Sequence, residues 1–230
     1  MKFETIVYTC DRKENYLLKT LRKLKQAGET KLYISQGSRS QLNLESIPKD
    51  FPVELEIKEM DFTNSENRNV RVKAQNNFIN ALTMNCGDCD FRLILEDDVV
   101  ASINFRSYLT YCIEEVKKIE MDKPFILTLY SPYTNNHKTL GVKKVKINDF
   151  YGLQACLFSQ EICQDFADYI KKVDYKQPHD FIIKDFCKEN NINIWCTKLS
   201  LFQHAGVITT GLGFRHRVYN FIDDILNQSK

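Results

Sequence analysis

Glycine and proline are scarce in this 230-residue chain, at eight and five residues. With an apolar fraction of 43%, that describes a folded, soluble protein rather than a disordered one. No stretch approaches the ~18–20 continuous apolar residues needed to cross a bilayer. Nor does the N-terminus carry a basic-then-apolar leader, so a cytoplasmic chain is expected. Charge of one sign is missing too. A net charge of +2 offers no global case for a nucleic-acid partner, although a nucleic acid as acceptor stays open. Cys86-Gly-Asp-Cys89 has no second pair to complete a zinc knuckle, and it lacks the βαβ placement of a redox motif. The eight cysteines are scattered, as expected of small buried hydrophobes in a reducing compartment.

What is present reads as one α/β domain over residues 1–230, with no repeat and no linker. Residues 3–9 form a first strand. An amphipathic helix follows, with Leu17, Leu18, Leu21 and Leu24 as its stripe and Gly28 as its stop. Strands at 31–35 and 53–57 come next, Val53, Leu55 and Ile57 sharing a face. This strand–helix–strand opening starts a nucleotide-binding sheet. Thr9, Asp11 and Arg12 sit where the first strand ends, a place to meet a nucleotide or simply a helix start and a surface arginine.

A helix over 69–82 turns Val70, Ala74, Phe78, Ala81 and Leu82 inward. It carries Asn67, Arg68, Arg71, Gln75, Asn76 and Asn77, which could hold a sugar or phosphate or form a solvated face. Further along, Ser102 is placed to cap a helix with Phe105, Tyr108, Leu109, Cys112, Val116 and Ile119 inward. Strands at 124–130 and 151–159 and an edge strand at 142–147 follow. Helices then begin at Ser159 and at Pro178-His179-Asp180, the latter with Phe181, Ile182, Phe186 and Cys187 as its apolar side. A short strand at 192–195 and a last helix from Val218 complete the chain.

The segment 91–100 organises the rest. Leu93, Ile94, Leu95 and Val99 bracket three consecutive carboxylates, Glu96, Asp97 and Asp98. The apolar run fits a strand buried on both faces of a parallel sheet. Three acids at its end repel one another unless a positive charge sits among them. Ligands of open α/β sheets bind beyond the carboxyl ends of the strands. A divalent cation shared with substrate phosphates relieves the repulsion; a solvated acidic turn is the alternative.

Leu95-Glu96-Asp97-Asp98 is joined by a Tyr151-Gly152 strand and helix, Asp180 opening a helix, and Ser200-Leu201-Phe202-Gln203-His204. This set resembles the GT-A glycosyltransferase fold, and more closely the N-acetylglucosaminyltransferase IV group, from about residue 68 onward. The resemblance implies a mainly parallel, Rossmann-like mixed sheet with helices on both faces. It implies an inverting, metal-dependent transferase that moves a sugar, N-acetylglucosamine first among candidates, from a UDP-sugar to an acceptor hydroxyl on a glycan, a protein or another molecule. The DXD-like triplet would place Mn²⁺ or Mg²⁺ on Asp98, with Glu96 or Asp97 orienting the ribose or a metal-bound water. His204 becomes a further metal or pyrophosphate contact, the other reading being a core histidine.

Asp180 becomes the base for the acceptor. The helix dipole there favours a carboxylate by ~0.3–1 kcal/mol, so a hydrophobic pocket, from Tyr130, Tyr133 or Trp195, would have to offset it. The segment after the histidine, residues 207–213, keeps only the hydroxyl-rich, glycine-containing character of that group. A nucleotidyltransferase is the second enzyme reading, but residues 9–14 lack the glycine-rich loop of that class. A degenerate transferase that binds without turnover is the third.

Overall fold

The computed structural model describes residues 1–10, 14–38, 42–59, 70–132, 139–173, 177–205 and 218–227. Among the described residues ten strands run in chain order as β1 (Phe3–Thr9), β2 (Lys31–Gln36), β3 (Glu54–Glu59), β4 (Phe91–Glu96), β5 (Val99–Ala101), β6 (Phe125–Thr128), β7 (Val142–Lys144), β8 (Ala155–Ser159), β9 (Asn193–Thr197) and β10 (Phe202–His204). The helices are α1 (Leu17–Gln26), a single turn α2 (Leu42–Glu45), α3 (Val70–Thr83), α4 (Phe105–Glu120), α5 (Gln160–Lys172), α6 (His179–Glu189) and α7 (Ile222–Asn227).

Eight strands make one mixed sheet in the order β3-β2-β1-β4-β8-β6-β9-β7. β3, β2, β1 and β4 are mutually parallel, β8 runs antiparallel between β4 and β6, and β9 is parallel to β6. The chain moves outward from β1 through β2 to β3, then returns to place β4 on β1's other side. That reversal opens a crevice at the carboxyl ends of β1 and β4, where sheets of this kind bind ligands.

Two apolar layers explain why the central strands read as continuous hydrophobic runs. Val7, Leu93, Leu95, Leu127 and Leu157 face α1 and α4, meeting Leu17, Leu21, Leu24, Leu109, Ile113 and Val116. Ile6, Ile94, Ile126, Cys156 and Phe158 face α3, α5 and α6, meeting Phe78, Leu82, Phe166, Ile170, Ile183 and Phe186. The period-two alternation of side chains across each strand sends neighbouring residues to opposite layers.

Local details depart from the sequence expectations. β3 is an edge strand whose Ile57 stays exposed, no helix among the described residues covering that flank. α4 starts after Asn104, not Ser102, whose hydroxyl instead donates to Asp223 Oδ1 at 2.6 Å. Ile119 is exposed and Ile113 takes its place in the core. The strand expected from residue 151 begins only at Ala155, since Gly152 turns the chain with φ +100°. Phe181 is likewise exposed, while Ile183 is buried beside Ile182. No helix among the described residues is long and apolar enough to cross a membrane.

The cysteines sort as expected. None of the eight forms a disulfide, and seven are buried. Burial pushes their thiols up, Cys86 to about 11 and Cys112 to about 12, which leaves neither as a reactive thiolate.

Candidate functional site

β4 ends at Glu96, the chain turns through Asp97 and Asp98, and β5 leaves antiparallel to β10. The register sets His204 opposite Val99 and Gln203 opposite Val100. Ala205 N donates to Asp98 O at 2.8 Å and tightens that end of the pair. A histidine more than a hundred residues away in sequence is thereby delivered to the acidic turn. Its Nε2 stands 3.2 Å from Asp98 Oδ2, with both side chains almost wholly buried.

Glu96 completes the group. Donor atoms of Glu96, Asp98 and His204 lie within 4.8 Å of one another. Two carboxylate oxygens and one imidazole nitrogen form a donor set that could hold a divalent cation. Glu96 is steadied by Tyr8, whose hydroxyl donates to Oε1 at 2.9 Å, and by its own N–H on Gln154 O at 2.9 Å. Tyr8 was not foreseen, because a tyrosine in an apolar strand carries no mark of a site.

Asp97 turns the other way, into the interior. Its Oδ2 accepts from Thr9 Oγ1 at 2.5 Å, and its carbonyl accepts from Thr20 Oγ1 at 2.7 Å. Thr9 is therefore a strut between β1 and the acidic turn. Asn43 Nδ2 donates to the Thr9 hydroxyl at 3.1 Å, while Asn77 Nδ2 and Gly37 N donate to its carbonyl at 2.9 and 2.8 Å. A Cβ on Gly37 would come within 2.5 Å of Asn77 Nδ2, so only glycine lets that strand end approach α3. The amides of α3 thus hold the floor of the crevice: Asn77 and Asn80 bind Ser35, and Gln75 Nε2 reaches Gln177 O at 2.9 Å.

Arg71 lies in the first turn of α3, four residues before Gln75. Asp11, Arg12, Asn67, Arg68 and Tyr133 fall outside the described residues. Trp195 does not belong to the crevice. It faces the α1/α4 layer, and its indole N–H donates to Glu120 Oε1 at 2.6 Å. Tyr130 is buried near Glu96, burial being the main cause that raises its phenol, with the Tyr151 and Glu96 charges adding to it.

Asp180 occupies the first turn of α6, half-buried. Burial is the main influence that raises the Cys156 thiol, and the Asp180 and Glu96 charges add to it. His179 precedes Asp180 with its ring 5.2 Å from Phe78. Phe78 in turn meets the ring of Tyr8 at 5.6 Å. The arrangement therefore has a corner at Glu96, Asp98 and His204 that could hold a cation, with the start of α6 carrying His179 and Asp180.

The sequence matches no protein-family model and no curated protein sequence. Solved structures do resemble it. Staphylococcus aureus TarS 1–349 superposes with a TM-score of 0.52 at 14% identity, over 85% of this chain and 60% of that one. A 4-diphosphocytidyl-2C-methyl-D-erythritol synthase from Anaerococcus prevotii gives 0.53 at 10% identity, over 98% and 95%. HddC from Yersinia pseudotuberculosis, complexed with GMP-PN, gives 0.50 at 13% identity, over 90% and 95%. The chain thus spans three-fifths of the TarS fragment and nearly all of the other two. At these identities the likeness establishes a GT-A-like fold, a sheet that glycosyltransferases and nucleotidyltransferases have in common. It does not reach the N-acetylglucosaminyltransferase IV group.

Proposed function

We propose that this chain is a metal-dependent glycosyltransferase that moves a sugar from a UDP-sugar to an acceptor hydroxyl with inversion, N-acetylglucosamine being the first candidate sugar. The observation that carries the reading is the convergence of Glu96, Asp98 and His204 at the strand-end crevice of a GT-A-like sheet. Such a set holds a divalent cation, Mn²⁺ or Mg²⁺, which when bound offsets charge on the departing diphosphate. Tyr8 orients Glu96 for that purpose, and Asp97, tied to Thr9, fixes the turn that presents Asp98.

Asp180 serves as the base. Its carboxylate takes the proton of the acceptor hydroxyl as the oxygen bonds to the anomeric carbon. The carbon–oxygen bond to UDP breaks on the opposite face, so an α-linked donor yields a β-linked product. Glycan, protein and modified nucleic acid all carry a suitable hydroxyl. Eight cysteines without a disulfide fit a cytoplasmic, reducing setting.

Nucleotidyl transfer is the second reading, favoured by the near-full-length match to the diphosphocytidyl-methylerythritol synthase. Residues 9–14 argue against it, since they contain no glycine to wrap a triphosphate. Binding of a sugar nucleotide without turnover is the third. A thermal-shift screen of UDP, UDP-sugars and nucleoside triphosphates, with Mn²⁺ or EDTA, separates these readings when paired with a turnover assay. Mn²⁺-dependent stabilisation by UDP supports the proposal. Preference for CTP or another triphosphate over UDP and its sugars defeats it.

A further inference from the structure

β10, which carries His204, is three residues long, and among the described residues β5 is its one strand partner. Their pairing runs from Ser102 N on Leu201 O, at 2.9 Å, to Ala205 N on Asp98 O, at 2.8 Å. A two-stranded ribbon of this length is marginal by itself. Alternation along β10 sends Gln203 to the face opposite Phe202 and His204, and there its amide meets Val218. Gln203 Nε2 donates to Val218 O at 2.9 Å, and Val218 N donates to Gln203 Oε1 at 3.0 Å. One buried side chain thereby satisfies both backbone groups of one distant residue.

Val218 is itself fixed. The segment it belongs to is joined to the approach to β10: Ser200 N donates to Asn220 O at 3.0 Å, Ile222 N to Ser200 O at 3.1 Å, and Asn220 Nδ2 to Lys198 O at 2.8 Å. The Ser102 hydroxyl, at the end of β5, holds Asp223 of the same segment. We infer that Gln203 is a positioning residue for the cation corner. By fastening β10 to this segment it sets the strand, and with it His204, beside Asp98. The inference rests on the transferase reading above, which takes His204 as a cation ligand.

The chemistry of the clamp suits an amide. A carboxamide presents a donor and an acceptor side by side from one planar group, the pairing that a residue's own N–H and C=O ask for. An apolar side chain of the same length would leave those buried groups without partners, a cost the short β5–β10 ladder has little to offset. Place separates this role from plain stabilisation. Asn220 Nδ2 stitches the same segment, but to Lys198, which precedes β10 altogether. Loss of either contact loosens the segment, whereas loss of the Gln203 pair frees the residue next to His204.

The test compares Gln203→Met, which keeps the side chain's length and removes both bonds, with Asn220→Leu. Mn²⁺ is titrated in the presence of UDP, melting curves verify that the variants are folded, and pulsed EPR reads the nitrogen coupling of an imidazole bound to Mn²⁺. Wild type should show that coupling, and His204→Ala should lose it. Gln203→Met is expected to bind Mn²⁺ about tenfold more weakly with a diminished coupling, in the range for losing a group that orients a metal ligand. Asn220→Leu should melt lower yet keep wild-type affinity and coupling. In wild type, Mn²⁺ should also slow hydrogen exchange at the Val218 amide more than at amides of β2, because support between clamp and cation is mutual. That measurement decides the matter even where Gln203→Met does not fold. Wild-type affinity and coupling in Gln203→Met, equal weakening in both variants, or no added protection at Val218 overturns the positioning role. If wild type binds no Mn²⁺, the transferase reading itself is defeated and the positioning role falls with it.

Discussion

His204 Nε2 lies 3.2 Å from Asp98 Oδ2, with the two side chains 7% and 3% exposed. The pair is held by the β5–β10 ladder, not by sequence proximity. Two carboxylates and an imidazole drawn together by the fold are the feature on which the proposed cation site rests.

Asp98→Ala should abolish the part of UDP binding that depends on Mn²⁺. For wild type, ligand at a hundredfold over its dissociation constant adds ~2.7 kcal/mol, a readily measured melting shift. The variant should melt alike in Mn²⁺ and EDTA when UDP is present. Equal UDP stabilisation in EDTA for both proteins would mean that the acidic turn holds no functional metal.

His204→Ala separates a ligand from a core histidine. The expected result is a folded protein whose Mn²⁺-dependent UDP affinity falls tenfold or more. A variant that melts far lower yet binds UDP with Mn²⁺ normally once folded would assign His204 to the core instead.

Asp180→Asn keeps the shape of the α6 start and removes only the ability to take a proton. UDP–Mn²⁺ affinity should remain near normal while transfer falls by ~10²-fold or more. Binding and product formation are measured together, with NMR of the product's anomeric proton. Wild-type transfer would remove Asp180 from the mechanism, and an α-linked product from an α-linked donor would overturn single displacement.

Thr9→Val tests the strut. It leaves the buried Asp97 Oδ2 without the hydroxyl that donates to it, so stability should drop by ~1–3 kcal/mol or more. Denaturant melts read this directly. A neutral outcome would show that the Thr9–Asp97 contact does not hold the turn.

The pH dependence follows from His179. Its folded pKa is depressed to about 4 by burial, whereas an unfolded histidine titrates near ~6.5. Between those values the unfolded chain binds more protons. Stability is therefore complete above pH ~6.5 and is lost as pH falls toward 4, by up to ~3 kcal/mol from this group. His179→Phe should flatten that part of the curve, and an unchanged slope in the variant would contradict the assignment.

The sequence by itself determined the strand and helix periods, the burial of β4 and the acidic triplet at its end. Local repeats of two and of 3.6 suffice for that, because they are consequences of backbone geometry. Leu93, Ile94 and Leu95 read as a doubly buried strand, and they are one. Tertiary structure alone decided which of the three acids face the crevice. Asp97 looks the same as its neighbours in sequence, yet Thr9 and Thr20 draw it inward. Only the folded sheet could also show that Trp195 turns toward α4, or that β10 carries His204 back to Asp98. The partners in these contacts are separated by tens of residues or more, so no local pattern encodes them. They exist because strand order brings distant segments to one end of one sheet.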